Sequence, residues 1–287
     1  MKNKVVVVTG GNSGIGRVTA TEIAKMGAQV IIVCRNEQKA KAVQDDINAL
    51  TGLNNCDLFL CDFSSHASIR NFAKDFRQKY DKVDVLINNA GAVVGERQVN
   101  EDGFEMMFAT NHLGYFLMTH YLLDLLKKSD QGRVVNVASL AHRFTKMRWD
   151  DLQAQKSFNS LIQYGHTKLM NILFNKELSK RLKNNTNITV NCLHPGNVNS
   201  NFGRTGHPAF KFLVETFGFV LTSPQQGAET SIYLATSPEV RNKTGLYWYK
   251  KNPTIPSLEA ISSDNSLRLW EISLQLTSIK EYGKVDF

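Results

Sequence analysis

Tyr164 and Lys168 lie four residues apart in the segment Tyr-Gly-His-Thr-Lys. On a helix, this spacing places the two side chains on one face, one turn apart. Because an ammonium group favours the phenolate form of a neighbouring tyrosine, we expect Lys168 to lower the pKa of Tyr164. A tyrosine with a lowered pKa can exchange a proton with a substrate near neutral pH. Tyrosine and lysine are common on helices, however, so the pair predicts an acid–base site only together with other motifs.

A glycine-rich segment near the start of the chain is the second candidate. It follows a run of valines at 5–8 and precedes a helical pattern at 14–26. Glycine allows a tight turn whose backbone approaches a phosphate closely, and the N-terminus of a helix offers free N–H groups to an anion. The segment could be a plain loop, but its position between strand and helix favours a dinucleotide site. The candidate residues are Gly10, Asn12, Ser13, Gly14, Ile15 and Gly16.

Strand and helix patterns that would position these residues alternate along the chain. Strand patterns occur at 5–8, 29–34, 57–61, 83–88, 133–138 and 188–193, with a short seventh at 245–249. Helical patterns occur at 14–26, 37–50, 65–80, within 103–128, and at 160–183. This alternation predicts an α/β fold with one doubly wound, mostly parallel seven-stranded sheet and helices on both faces. We expect one domain over residues 1–287, with a lid at about 197–224 over the carboxyl end of the sheet.

The residues at the end of the second strand indicate whether such a protein binds NAD or NADP. Proteins that bind NAD usually carry an acidic residue there. This chain has Arg35 and Asn36 after Cys34. An arginine matches a 2′-phosphate in charge and in geometry, so this position favours NADP(H). The alternative is that Arg35 is an ordinary surface residue.

Two polar residues occur at unusual places in these patterns. Ser139 ends the fifth strand, where its hydroxyl would face the ligand crevice of such a sheet and could hold a carbonyl oxygen. Asn111 lies inside a helical pattern, where asparagine is unfavourable because its side chain competes for backbone hydrogen bonds. The alternatives are a simple cap for Ser139 and chance placement for Asn111.

The motifs follow one another in a familiar order. They are the G-x-x-x-G-x-G turn, the N-N-A-G sequence after the fourth strand, the Y-x-x-x-K pair and the P-G turn after the sixth strand. Together they resemble the short-chain dehydrogenase/reductase family, which implies a Rossmann-type domain and hydride transfer between a nicotinamide and a carbonyl or alcohol. The resemblance implies that Ser139 and Tyr164 hold the carbonyl oxygen, Lys168 also holds the nicotinamide ribose, and Asn111 orders a water relay.

The same resemblance implies further cofactor contacts. These are Asp62 with Phe63 at the adenine, Asn89, Ala90 and Gly91 at the adenine ribose, and Pro195, Gly196 and Val198 at the nicotinamide, in addition to Tyr164 and Lys168. The chain departs from the family pattern at two places. Family members often have a threonine soon after the P-G turn, where this chain reads Asn-Val-Asn-Ser, and the interval from Ser139 to Tyr164 is longer than usual.

The longer interval narrows the resemblance to a subgroup. The chain resembles NADP-preferring retinol dehydrogenases and WW-domain oxidoreductases in this interval. It also resembles them in segments such as Phe-Ala-Thr-Asn-His-Leu-Gly-Tyr-Phe and Leu-His-Pro-Gly. An apolar wall would bind an apolar, retinoid-like aldehyde or ketone. The candidate wall residues are Phe202, Phe210, Phe212, Phe217 and Phe219 in the lid, with Phe144, Met147 and Trp149 in the extra segment. Simple packing of the lid and shallow membrane contact are the alternatives.

Composition excludes several other functions. The formal net charge is +8, but lysine and arginine are scattered, so we expect no nucleic-acid partner. The four cysteines form no C-x-x-C pair, which indicates free thiols in a reducing, cytoplasmic compartment, and no metal site is predicted. The sequence has no run of 18 apolar residues that would predict a membrane-spanning helix, so the alternative location is a peripheral one on a membrane surface.

The resemblance to the family also implies a homodimer or homotetramer. A catalytically silent, NADP-binding redox sensor is the alternative function.

Overall fold

A sheet of eight strands forms the centre of the protein. The computed structural model describes residues 1–183, 187–196 and 223–287. The strands are β1 Val5–Thr9, β2 Gln29–Cys34, β3 Cys56–Leu60, β4 Val85–Asn88, β5 Arg133–Val137, β6 Thr189–His194, β7 Tyr247–Tyr249 and β8 Asn252–Thr254. Their order is β3-β2-β1-β4-β5-β6-β7-β8, and every pair is parallel except β7 with β8.

Helices cover both faces of this sheet. They are α1 Gly14–Lys25, α2 Glu37–Thr51, α3 His66–Lys79, α4 Gly114–Lys127, α5 Ser160–Leu182, α6 Pro224–Thr236, α7 Leu258–Ile261 and α8 Ser263–Leu276. Successive residues of a strand point to opposite faces. Val6 therefore packs with α1, α2 and α6, whereas Val7 packs with α3, α4 and α5. Because the central strands are buried on both faces, they are almost continuously apolar and β-branched.

The predicted doubly wound α/β fold is confirmed, with one more strand than the seven expected. β8 is only three residues long, contains Pro253 and has no alternating pattern. It is reached through a turn in which Lys250 and Lys251 have positive φ angles of 48° and 62°. Such a turn normally uses glycine or asparagine, so the two lysines gave no hairpin signal. The helix within 103–128 also differs, because a π-helical turn at Phe108–Leu113 precedes α4.

The strand order determines where the ligand crevice lies. The order reverses between β1, which leads to β2, and β4, which leads to β5, so the loops after β1 and β4 diverge at the carboxyl edge of the sheet. The glycine turn, the N-N-A-G segment and Ser139 all follow strands at this edge. The predicted lid and its five phenylalanines lie outside the described residues, apart from residues 223 and 224.

The C-terminal segment packs against α4 and α5. Trp270 of α8 stacks on Phe174 of α5, with ring centroids 6.2 Å apart. Tyr282 follows α8 and donates a hydrogen bond to the carbonyl oxygen of Phe116 in α4, at 2.7 Å. Most residues of α5 are therefore buried, including those on the side away from the sheet. Within the described ranges, no helix is long and apolar enough to cross a membrane.

Candidate active site

The glycine turn after β1 is closely packed. Gly10 has a φ of +66°, and a Cβ there would lie 3.0 Å from the Cα of Ala90. A Cβ at Gly16 would collide with the carbonyl oxygen of Gly10. Ser13 is the N-cap residue of α1, but its side chain makes no capping hydrogen bond within the part of the chain that the structure describes. The turn therefore forms a cradle at the start of α1 that fits a dinucleotide phosphate.

The N-N-A-G segment is fastened to this turn through Thr9, a residue that the sequence analysis did not single out. The Thr9 hydroxyl accepts hydrogen bonds from the backbone N–H of Asn89 at 2.8 Å and of Ala90 at 2.9 Å. The Asn89 side chain donates to the carbonyl oxygen of Thr9 at 2.8 Å. These bonds hold Asn89, Ala90 and the following Gly91 beside Gly10. Thr9 is a buried polar residue at a strand end, and that position was the available signal.

Arg35 and Asp62 meet at the ends of β2 and β3. The Arg35 side chain is 76% exposed, and its Nη1 lies 3.4 Å from Oδ2 of Asp62. Burial would raise the pKa of Asp62, but hydrogen bonds from Ser64 and the charge of Arg35 outweigh it, so the pKa is lowered. Asn36 caps α2, because its Oδ1 accepts a hydrogen bond from the backbone N–H of Lys39 at 2.8 Å. Arg35 is thus exposed to solvent at the carboxyl end of β2 and paired with Asp62.

Phe63 has a different position from its neighbour Asp62. Its side chain is 7% exposed and packs in the core formed with α3 and α4. Its carbonyl oxygen would lie 2.8 Å from a Cβ at Gly114. Phe63 therefore has a packing role, and only its backbone remains a candidate for a cofactor contact.

Ser139 and Tyr164 come together at the carboxyl end of β5. Their side chains form a hydrogen bond, and the Ser139 hydroxyl also accepts from the backbone N–H of Ala141 at 3.2 Å. Gly165 makes this approach feasible, because a Cβ there would lie only 2.7 Å from the carbonyl oxygen of Ala141. The sequence analysis missed Gly165, although a glycine inside a helix is a recognised sign of close packing.

The pKa of Tyr164 differs from the sequence-based expectation. Burial raises it to about 12, while the hydrogen bond with Ser139 acts in the lowering direction. The predicted lowering by Lys168 is therefore wrong for this arrangement. Residue spacing predicted the neighbour but not the loss of water around the phenol, which disfavours the charged form.

Lys168 lies one turn beyond Tyr164 and is 3% exposed. Its Nζ donates a hydrogen bond to the carbonyl oxygen of Val137 at 3.0 Å and lies 5.6 Å from the ring centre of Tyr164. Burial lowers the pKa of Lys168 to about 7. The lysine can therefore gain or lose a proton near neutral pH.

Asn111 lies in the π-helical turn before α4 and is fully buried. Its Oδ1 accepts from the backbone N–H of Ala92 at 2.7 Å, and its Nδ2 donates to the carbonyl oxygen of Ala92 at 2.9 Å. The Nδ2 also donates to the hydroxyl of Thr167 at 3.1 Å. Asn111 thus joins the loop after β4 to the turn of α5 that carries Lys168. Its predicted role in ordering water stays a prediction.

The loop after β6 lies beside the Ser139 loop. The Nδ1 of His194 accepts a hydrogen bond from the backbone N–H of Leu140 at 3.2 Å. Pro195 and Gly196 follow, and the φ of Gly196 is +90°, a value that favours glycine. Val198 lies outside the described residues. No cluster of three potential metal ligands occurs among the residues at 1–183, 187–196 and 223–287.

Known proteins share this sequence and architecture. A profile of the family described as short chain dehydrogenase matches residues 4–208. Retinol dehydrogenase 11 of Homo sapiens is 40% identical over 280 residues, covering 97% of this chain and 87% of its own length. Retinol dehydrogenase 13 of Homo sapiens is 39% identical over 283 residues, covering 96% and 85%.

Solved structures share the same fold. An uncharacterized protein of Mycobacterium paratuberculosis superimposes with a TM-score of 0.78 at 29% identity, covering 96% of this chain and 94% of its own. A short-chain dehydrogenase of Shigella flexneri, solved in complex with NADP, has a TM-score of 0.68 at 24% identity, covering 88% and 98%. The chain belongs to the short-chain dehydrogenase family.

Proposed function

We propose that this protein is an NADP(H)-dependent oxidoreductase that reduces a lipophilic aldehyde or ketone, with Asn111, Ser139, Tyr164 and Lys168 as its catalytic group. The observation that carries the proposal is the hydrogen bond between Ser139 and Tyr164 at the carboxyl end of β5. This pair lies at the same edge of the sheet as the glycine cradle, so a substrate carbonyl and a dinucleotide would share one crevice.

The raised pKa of Tyr164 suits the reductive direction. With a pKa of about 12, its hydroxyl carries a proton at neutral pH. When bound, the reduced nicotinamide supplies the hydride that the carbonyl carbon receives. Ser139 and Tyr164 donate hydrogen bonds to the carbonyl oxygen, and the O–H bond of Tyr164 breaks as the O–H bond of the alcohol forms. The reverse order of these events oxidises an alcohol.

Lys168 then restores the proton of Tyr164. A protonated amine with a pKa of about 7 is a stronger acid than a phenol with a pKa of about 12, so transfer to the phenolate is favourable. The Nζ of Lys168 lies 5.6 Å from the ring centre of Tyr164, so one water molecule between the two side chains could carry the proton. The side-chain N–H groups of Asn111 are used on Ala92 and Thr167, so its Oδ1 would accept a hydrogen bond from such a water.

The preference for NADP(H) rests on Arg35. Its guanidinium is exposed beside the end of β2, and neither of the two residues directly after Cys34 is an acid that could bond a ribose 2′-hydroxyl. The Shigella flexneri structure contains NADP, and a short-chain dehydrogenase of Escherichia coli with 23% identity contains NADPH. At these identities the two structures support the fold, and the arginine supports the cofactor.

The substrate class follows from the relatives and the predicted lid. The relatives with about 40% identity are named retinol dehydrogenases, which favours a retinoid-like aldehyde. The phenylalanine-rich segment at 197–224 would form the apolar lid of a single domain over residues 1–287. The four cysteines are buried free thiols, and this supports a location in a reducing compartment such as the cytoplasm.

The test is Tyr164→Phe with Tyr233→Phe as its control. Tyr233 lies on α6, away from the crevice. Its hydroxyl donates a hydrogen bond to Oε2 of Glu239 at 2.6 Å. NADPH oxidation is followed with retinal, nonanal and benzaldehyde, and NADPH binding is measured by fluorescence. We expect Tyr164→Phe to lower turnover by about 10²-fold to 10⁴-fold and to keep NADPH binding within about threefold. Near-normal turnover in Tyr164→Phe would contradict the proposed function.

A further inference from the structure

A cavity of about 160 Å³ lies at the carboxyl ends of β5, β6 and β7. It is lined by Leu140, Arg143, His194, Tyr247, Tyr249 and Thr254. Leu140 follows Ser139 in the chain, and its backbone N–H bonds His194 across the loops after β5 and β6. A cavity of this size accepts a group as large as a benzene ring. It can therefore hold a part of a molecule whose reacting atom lies at Ser139.

Five of the six lining residues have a side chain that can donate a hydrogen bond, and the hydroxyls of Tyr247, Tyr249 and Thr254 can also accept one. Arg143 uses one N–H group on the carbonyl oxygen of Ile255, and a guanidinium has five such groups. Because Nδ1 of His194 accepts the bond from Leu140, the ring proton of its neutral form lies on Nε2, which is a donor. None of the six lining residues is acidic.

Tyr247 adds an unused polar group. It is 5% exposed, and its hydroxyl has no hydrogen-bond partner among the residues that the structure describes. Its ring contacts the ring of His142 edge-on, with centroids 5.1 Å apart. A buried hydroxyl without a partner is unfavourable, and because this oxygen is covered, an acceptor atom of a ligand would reach it only after a small movement of the cavity wall.

Positive charge extends to the rim of the cavity. The Nζ of Lys250 lies 5.4 Å from the ring centre of Tyr249, and Arg143 is itself one of the lining residues. Together with the donors, these charges favour an anion over a cation. The rings of His194 and Tyr249, stacked at 5.1 Å, provide a flat apolar surface for carbon atoms next to the anion.

We propose that this cavity binds a carboxylate at the end of the substrate opposite to the reacting carbonyl, so that the preferred substrates are oxo acids with an apolar chain. This inference rests on the proposed function and restricts its lipophilic aldehydes and ketones to those that carry a carboxylate, so retinal would not be the preferred substrate. A carboxylate accepts two parallel hydrogen bonds from an arginine, and its attached carbon atoms would lie on the aromatic wall.

Kinetics with paired substrates test the proposal. The semialdehydes of adipic and azelaic acid are compared with their methyl esters, which keep the chain but lack the charge. The wild type should prefer the acids in kcat/KM for at least one chain length. Arg143→Gln should lower the acid-to-ester ratio by about 10-fold to 100-fold, and Tyr247→Phe by about 3-fold to 10-fold. Arg241→Gln removes the same charge from an exposed residue outside the cavity and should keep the ratio.

A binding measurement separates this proposal from the proposed function. Hexanoate and hexanol are titrated calorimetrically into the wild type and the Arg143→Gln and Arg241→Gln variants. Binding of hexanoate that is lost only in Arg143→Gln supports the cavity, even if no aldehyde is turned over and the proposed function fails. Equal hexanoate binding in all three proteins, or an unchanged acid-to-ester ratio in Arg143→Gln, would overturn it. Displacement of hexanoate by equal concentrations of inorganic phosphate would overturn the choice of a carboxylate.

Discussion

Gly165 controls the distance between the two polar groups of the candidate active site. It lies in α5 directly after Tyr164 and faces the 3₁₀ turn at Leu140–Phe144 that follows Ser139. A Cβ at Gly165 would lie 2.7 Å from the carbonyl oxygen of Ala141 and 2.9 Å from Cγ2 of Thr145. The threonine methyl group can rotate away, but the carbonyl oxygen is backbone and can move only with its turn.

Gly165→Ala should therefore separate Ser139 from Tyr164. Restoring an ordinary contact of 3.4 Å requires a displacement of about 0.7 Å at Ala141. The backbone N–H of Ala141 donates a hydrogen bond to the Ser139 hydroxyl, so this displacement should also move the Ser139 side chain. Since a misplacement of about 1 Å can cost about 100-fold in rate, we expect kcat to fall by about 10-fold to 100-fold. The added strain should lower the free energy of unfolding by about 1–3 kcal/mol.

The assay compares Gly165→Ala with Gly132→Ala. A Cβ at Gly132 would lie 2.8 Å from the carbonyl oxygen of Leu126 and 2.8 Å from Cγ1 of Ile188, at the other end of the sheet. Both variants should lose similar stability in urea, but only Gly165→Ala should lose turnover with NADPH and an aldehyde. A wild-type kcat in Gly165→Ala, or an equal loss of kcat in Gly132→Ala, would refute the reasoning.

The remaining predictions concern the charges and the cofactor cradle. Lys168 has a folded-state pKa of about 7, below the usual 10.5, so the folded state binds fewer protons between these pH values and stability rises across them. Lys168→Met should exceed the wild type in unfolding free energy by about 3–5 kcal/mol at pH 6, with the difference shrinking towards pH 10 in urea titrations. Arg35→Leu should raise the KM for NADPH by about 10-fold to 100-fold and that for NADH by less than about threefold; equal changes would argue against 2′-phosphate recognition. Gly16→Ala, whose Cβ meets Gly10 and lies 2.5 Å from Nδ2 of Asn89, should weaken binding of both cofactors in fluorescence titrations, and unchanged binding would argue against the cradle.

The sequence predicted the residues at the carboxyl edge of the sheet because each follows a strand that is easy to recognise. The valine-rich strands, the glycine turn and Ser139 have local patterns, and parallel topology brings their ends together. The Tyr164–Lys168 spacing likewise predicted a shared helix face, which the structure has. Their roles in catalysis stay predictions, whereas the fold is confirmed.

Properties that depend on burial could not be predicted in this way. The pKa values of Tyr164 and Lys168 are set by the removal of water, which depends on what the distant parts of the chain place around them. Thr9 and Gly165 act through contacts across the fold, with Asn89 and Ala141. A three-residue edge strand such as β8 has too few residues to show a period.

The packing of α8 on α5 has a consequence for the order in which the parts of the site can form during synthesis. The cradle for the dinucleotide is built from contacts among residues 9–91, which leave the ribosome early. The helix that carries Tyr164 and Lys168 packs against Trp270 and the segment around Tyr282, which leave the ribosome later. The outer side of α5 is therefore covered only after residues 258–282 have been synthesised and have docked on it, when the cradle can already have formed.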